Sequence, residues 1–277
     1  MRFHSRDAAR ACKRRATAYV GATMVLLAML GCSTTHEASS KSSAPASVAA
    51  DGTDEGRRAR IRMELAANYL QAGQPQIALN EVAQAIALEP RNADALALQG
   101  LLLMNLQDYP AARASLQQSL SLQPHEARTL HNIGWLECLE GRHAQGIAVL
   151  DRALATPRYG ESARTLMAKG MCQRQAGDLP AAEATFFRAY ELDAGNPVVA
   201  YHLADLLFQR RELERARFYA RRLNNGEYAN AESLWLGIRV EKAIGDSAAV
   251  RQLAEQLQRR YPDSKEWQRY EQGAFSG

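Results

Sequence analysis

Cys138 and Cys172 stand 34 residues apart, and they are the side chains whose type and spacing best suit chemistry; Cys12 and Cys32 are the other two thiols of the chain. Two thiols can share a metal ion or close a disulfide. A metal is disfavoured, because two isolated Cys without histidines at ligand spacing beside them do not make a site. The six histidines, His4, His36, His125, His131, His143 and His202, are scattered and read as surface and turn positions. Carboxylates do fall close together, as at Glu137 and Glu140, but on a helix such a pair is expected to form a solvated face rather than an acid/base couple. The chain has no phosphate loop, His-Glu-x-x-His, Gly-x-Ser-x-Gly or dinucleotide fingerprint. No enzyme, cofactor, metal or small-molecule substrate is expected, and the chemistry left to explain is a disulfide.

Whether that disulfide can close depends on the elements carrying the two cysteines. Small residues recur in two columns: Ala66, Gly100, Gly134, Gly170, Ala204 and Gly237, and, twelve residues behind them, Ala78, Ala112, Gly146, Ala182, Ala216 and Ala249. Their steps of 34, 34, 36, 34 and 33 residues are those of a tetratricopeptide-type helical array. In each unit a first helix carries one small residue and an antiparallel second helix the other, so the two backbones approach closely. Polar turns such as Ala72-Gly73-Gln74-Pro75 and Ala176-Gly177-Asp178 separate them, with Gly ending one helix and Pro75, Pro110 or Pro180 opening the next. The expected fold is all-α, a right-handed superhelix of six helix-turn-helix repeats at about 59–92, 93–126, 127–160, 163–196, 197–229 and 230–263. Trp267, Tyr270 and Phe275 mark a short C-terminal capping helix. No stretch after residue 57 alternates as a strand would.

In this frame Cys138 and Cys172 fall on the first helices of repeats three and four. Adjacent helices stand about 8–10 Å apart, whereas a disulfide needs Cα atoms within about 7 Å. Two buried, unpaired thiols are therefore the alternative. The two-residue insertion between these repeats moves Cys172 out of strict equivalence with Cys138, and it favours a staple.

The N-terminus points to export. Residues 1–15 hold Arg2, Arg6, Arg10, Lys13, Arg14 and Arg15 against one Asp7, and the apolar run Ala16–Leu30 is too short to span a bilayer, which takes about 20 residues. Met29-Leu30-Gly31-Cys32 follows and resembles the lipobox of bacterial lipoproteins. That resemblance implies cleavage of a signal at 1–31, lipidation of Cys32 and, with Ser33 rather than Asp next in line, transfer to the periplasmic face of the outer membrane. An exported protein enters an oxidising compartment, where disulfides persist. The formal charge of +4 becomes about −1 once the +5 of residues 1–31 is removed, so the basic balance gives no argument for nucleic acid. Residues 32–56 follow as lipidated Cys and a Ser/Ala-rich disordered tether, with a span of about 25–30 Å. The array itself occupies 57–277.

Such arrays hold partners in an inner groove lined by their first helices. The positions expected there include Met63 and Leu70, Leu101 and Met104, Trp135, Met171, Tyr201 and Phe208. Apolar types predominate, and the Asn and Lys that clamp a terminal carboxylate in similar arrays are missing. An apolar peptide or helix is the expected ligand.

Across about residues 57–270 the chain resembles the type IV pilus biogenesis/stability lipoprotein family, PilW/PilF. The resemblance rests on Glu232-Ser233-Leu234-Trp235-Leu236-Gly237-Ile238-Arg239, Asn132-Ile133-Gly134-Trp135-Leu136-Glu137-Cys138, Ala155-Thr156-Pro157-Arg158-Tyr159 and Gly170-Met171-Cys172. It implies a pilotin, an outer-membrane lipoprotein that binds the pilus secretin and assists its localisation and oligomerisation, or stabilises pili. An envelope adaptor that regulates cell-wall enzymes is the alternative.

Overall fold

The computed structural model describes residues 54–275. The signal 1–31, Cys32 and the tether as far as residue 53 lie outside the described residues. Among these, thirteen α-helices and no strands occur. Twelve form antiparallel pairs: α1 (Asp54–Gln71) with α2 (Pro75–Leu88), α3 (Ala93–Asn105) with α4 (Tyr109–Leu122), α5 (Ala127–Leu139) with α6 (His143–Leu154), α7 (Ser162–Gln175) with α8 (Leu179–Leu192), α9 (Pro197–Gln209) with α10 (Leu213–Asn224), and α11 (Ala231–Ile244) with α12 (Ser247–Arg260). The fold is the expected all-α array of tetratricopeptide helix pairs. Helix α1 starts at Asp54, so residues 54–56, assigned to the tether from sequence, are helical.

Each turn between paired helices reverses the chain through one left-handed residue. Gly73, Gly141, Gly177 and Gly245 hold that position with φ of 70 to 94°, while Gln107 and Arg211 take it at 62° in repeats two and five. Side chains then cap the second helices: Asp108, Asp178 and Asp246 accept hydrogen bonds from the amides of Ala111, Ala181 and Ala249. These carboxylates satisfy amides that the helix start leaves without partners.

Both small columns are buried, as close helix crossing requires, except at Ala249 in the last repeat, which is half-buried. A Cβ on Gly100 would fall 2.5 Å from the Leu116 side chain, and one on Gly170 would fall 2.7 Å from the Phe186 ring. First helices also pack on the first helices of neighbouring repeats, α1 on α3, α3 on α5, α5 on α7 and α9 on α11. They therefore form the inner layer of the curve. The last repeat is closed by α13 (Lys265–Glu271), whose Trp267 and Tyr270, with Phe275, pack against Leu234, Trp235, Ile238, Ala254 and Leu257.

Candidate partner-binding groove

The small column sets the rotation of each first helix. With Ala66, Gly100 and Gly134 turned onto the second helices, residues three before and one after them face the inner surface, Met63 and Ala67, Ala97 and Leu101, and His131, while Trp135 packs on the clusters beneath. The structure opens a groove there of about 430 Å³. Met63, Ala67, Ala97, Leu98 and Leu101 give it an apolar wall, and Thr129, His131 and Asn132 a polar end. Arg60, Glu64, Asp94, Glu126, Arg128, Glu161 and Arg164 line its rim. Arg128 contacts Glu126 at 3.2 Å and Asp94 at 3.5 Å, and Arg164 contacts Glu161 at 3.2 Å. These exposed pairs contribute little to stability, and they leave a rim of mixed charge around the apolar wall.

Positions four residues after the small column behave differently, because they turn into the next repeat. Leu70 packs on the cluster that holds Leu102, Met104 shares a cluster with Leu136, Cys138 with Cys172, and the Arg239 guanidinium lies over the Phe208 ring at 4.9 Å. Each of these partners sits two residues after its own small position. The two cysteines thus occupy a contact that is hydrophobic in repeats one to three, with Cα atoms 5.5 Å apart and the sulfurs drawn together as a disulfide.

This rotation corrects several assignments. Met104, expected on the inner surface, is 6% exposed and belongs to the core. Leu70 is half-buried beside the core. Trp135 and Met171 are half-buried and pack on the clusters beneath them. Tyr201 lines a separate pocket of about 250 Å³ with Trp235 and Phe275. Of the eight residues expected to bind a partner, the groove gathers Met63 and Leu101.

The inner face of repeats four to six is more crowded by the chain's own side chains, and the pocket beside Tyr201 is smaller than the groove and carries Glu232, Arg239, Lys265, Glu266 and Arg269. Arg174 bonds His202 Nδ1 at 2.7 Å and pairs with Asp205, Arg239 covers Phe208, and Phe275 stacks on Trp235 at 5.4 Å. Burial and the facing Arg174, against the opposing pull of Asp205, hold His202 down at about 4.

Two groups read from sequence as surface features are buried instead. His131 is 5% exposed, and its Nδ1 lies 2.9 Å from the Thr165 hydroxyl, which also meets the Tyr159 hydroxyl at 2.8 Å. Burial, reinforced by Arg164, holds His131 down at about 4, so it stays neutral. Burial pushes the Tyr159 phenol up. Glu137 is buried as well and is gripped by Arg113 and Arg142, which also hold Glu140. The spacing held a signal for one of these contacts: His131 and Thr165 are one period apart, as are Cys138 and Cys172. Among the described residues no group of His, Cys, Asp and Glu could hold a metal ion.

Comparison with known proteins gives this groove its context. A tetratricopeptide repeat family model matches residues 63–127 and 134–197. The type IV pilus assembly protein PilF of Pseudomonas aeruginosa is 30% identical over 220 residues, covering 79% of this chain and 86% of PilF. The solved structure of P. aeruginosa PilF superposes with a TM-score of 0.71 at 28% identity, over 80% of this chain and all of that one. That of PilW, described as a widely conserved type IV pilus biogenesis factor, gives 0.69 at 28% identity over 76% and 97% of the two chains. With that identity sustained over most of both chains, this chain belongs to the PilF/PilW family of tetratricopeptide type IV pilus biogenesis proteins.

Proposed function

We propose that this protein is a non-enzymatic pilotin: a lipoprotein of the outer membrane, anchored through Cys32 and facing the periplasm, that captures a secretin subunit of the type IV pilus in the groove of repeats one to three. The observation that carries the reading is the division of the inner face. Repeats one to three leave an apolar groove of about 430 Å³ open, whereas side-chain pairings crowd repeats four to six and leave there a smaller pocket lined largely by charged residues. An apolar segment of a partner, extended or helical, suits a wall of Met63, Ala67, Ala97, Leu98 and Leu101, and the methionine adapts to its shape. The Cys138–Cys172 disulfide would hold the third repeat, where the groove ends, against the fourth. Lipid at Cys32 would then carry the bound subunit to the membrane in which the ring forms.

Deleting the gene and scoring surface pili and heat-stable secretin multimers tests this. Loss of multimers supports secretin assembly, and loss of pili with normal multimers points to pilus stabilisation. Normal pili and normal multimers would overturn the reading.

A further inference from the structure

Among the described residues the array is capped at one end only. Repeat six is closed by α13, but the outer face of α1 has no neighbour among the described residues, and it is not polar. Ile61 is 50% exposed and Leu65 37%, while Ile77 on α2, one turn before the Glu81 that pairs with Arg62, is 43% exposed. Solenoids normally end in a polar outer face, since an apolar end would otherwise stack or aggregate. Arg57 and Arg58 stand one turn before Ile61 on the same exposed stripe of α1. Arg57 has the exposed Asp54 3.9 Å away, a weak partner.

The chain's own leader is poorly made to cover this face. Residues 33–53 contain Val48 and no larger apolar side chain. What they do supply is proximity. Twenty-one residues separate Cys32 from α1, a length of chain that reaches at most about 70 Å. The uncapped end is therefore the end joined directly to the chain that leads to the anchor. We propose that this end docks on the membrane holding the anchor, with Ile61, Leu65 and Ile77 in the headgroup boundary and Arg57 and Arg58 on anionic phospholipid. Apolar side chains beside arginines are the composition of an interfacial helix face, and a second weak contact stabilises a lipid anchor. Docking at α1 also fixes the array's orientation, and it keeps the groove, on a different side of α1, open to a partner. This inference rests on the lipid-anchored reading.

The test uses the full-length lipidated protein carrying Ile61→Cys, labelled with an environment-sensitive fluorophore and reconstituted into phosphatidylcholine vesicles with or without phosphatidylglycerol. Arg251→Cys, on the exposed side of α12, is the control site. The label at 61 is expected to shift blue and brighten about twofold in anionic vesicles, less in neutral ones, with no change at 251. Arg57→Gln with Arg58→Gln should return the signal to its neutral-vesicle level. Mass spectrometry of the same sample separates the two ideas: a chain without acyl groups sinks the anchor reading and this proposal with it. An acylated chain with an unmoved label sinks the docking alone. Brightening that tracks protein density and ignores lipid charge assigns the face to a second copy and overturns the proposal.

Discussion

Gly134 on α5 and Gly146 on α6 meet backbone to backbone. A Cβ on Gly146 would fall 2.7 Å from the Gly134 carbonyl oxygen and 2.4 Å from Cys138 Sγ, and one on Gly134 would fall 3.0 Å from the Gly146 carbonyl oxygen. Neither a backbone nor a sulfur tied to Cys172 can swing aside. Alanine raises helix propensity by about 1 kcal/mol, but overpacking costs about 1–3 kcal/mol and more where nothing yields. Gly146→Ala is expected to destabilise by about 2 kcal/mol, measured as a lower midpoint in urea. A midpoint at or above wild type would contradict the close crossing.

The left-handed turn position gives a prediction of opposite sign. Gln107 and Arg211 adopt it with φ of 62°, where four other repeats use glycine. A residue with a Cβ pays about 1–2 kcal/mol there, while glycine loses about 0.5–1 kcal/mol in chain entropy. Gln107→Gly or Arg211→Gly should each stabilise by about 0.5 kcal/mol, visible as a small rise in thermal midpoint. Gly141→Ala should do the reverse.

For the cysteines, alkylation of the protein purified without reductant should add no adduct at Cys138 or Cys172 until the sample is reduced. Closing a loop across a separation of 34 residues is worth about 3–4 kcal/mol through the unfolded chain. The double substitution Cys138→Ala, Cys172→Ala should lose about that much in chemical denaturation. Full alkylation without reductant would show that the thiols stay free.

Burial of His131 produces a pH dependence whose sign follows from its depressed value. Folded, it is held at about 4; unfolded, it titrates near 6.5. Between those values the unfolded chain binds more protons, so stability present above pH 6.5 falls as pH drops and levels off below about 4. A shift of that size corresponds to about 3 kcal/mol. Denaturation curves of wild type and His131→Asn between pH 7 and 4 should show the shallower slope in the variant. Parallel slopes would place the histidine in water.

In the groove, Leu101 and Leu70 should separate binding from folding. Leu101 lines the open groove, so Leu101→Glu should abolish partner capture with little change in thermal midpoint, because a carboxylate pressed on an apolar ligand loses its water. Leu70 packs on the first repeat's core, and Leu70→Glu should lower the midpoint by several degrees whether or not a partner is present. Pull-down of the secretin from envelope extracts with each variant, beside a melting curve, checks both. Retained capture by Leu101→Glu would move the site elsewhere.

The array was legible in the sequence because close helix crossing demands small residues at fixed intervals, and Ala66, Gly100 and Gly134 announce it without any structure. The groove was legible only in part. Met63 and Leu101 lie three before and one after the small column, positions that face inward in the first repeats. Met104 lies four after, and no composition distinguishes an apolar residue that faces a ligand from one that faces the next repeat. That distinction comes from helix rotation, and here Leu136 decides it. The crowding of the second half of the inner face was not legible either. It depends on pairings such as Arg174 with His202 and Phe275 with Trp235, between residues 28 and 40 positions apart that no local pattern links.

A stack of helix pairs comes apart from its ends, because each repeat is held only by its neighbours. Seen this way, the bridge between α5 and α7 divides the molecule into two zippers that meet at a rivet. Opening from the first repeat should run through repeats one and two and stall at the third, while opening from the other side must first peel away α13. Amide exchange would accordingly rank α1 fastest and α5 to α7 slowest. The half of the array that holds the open groove would then be the half that breathes.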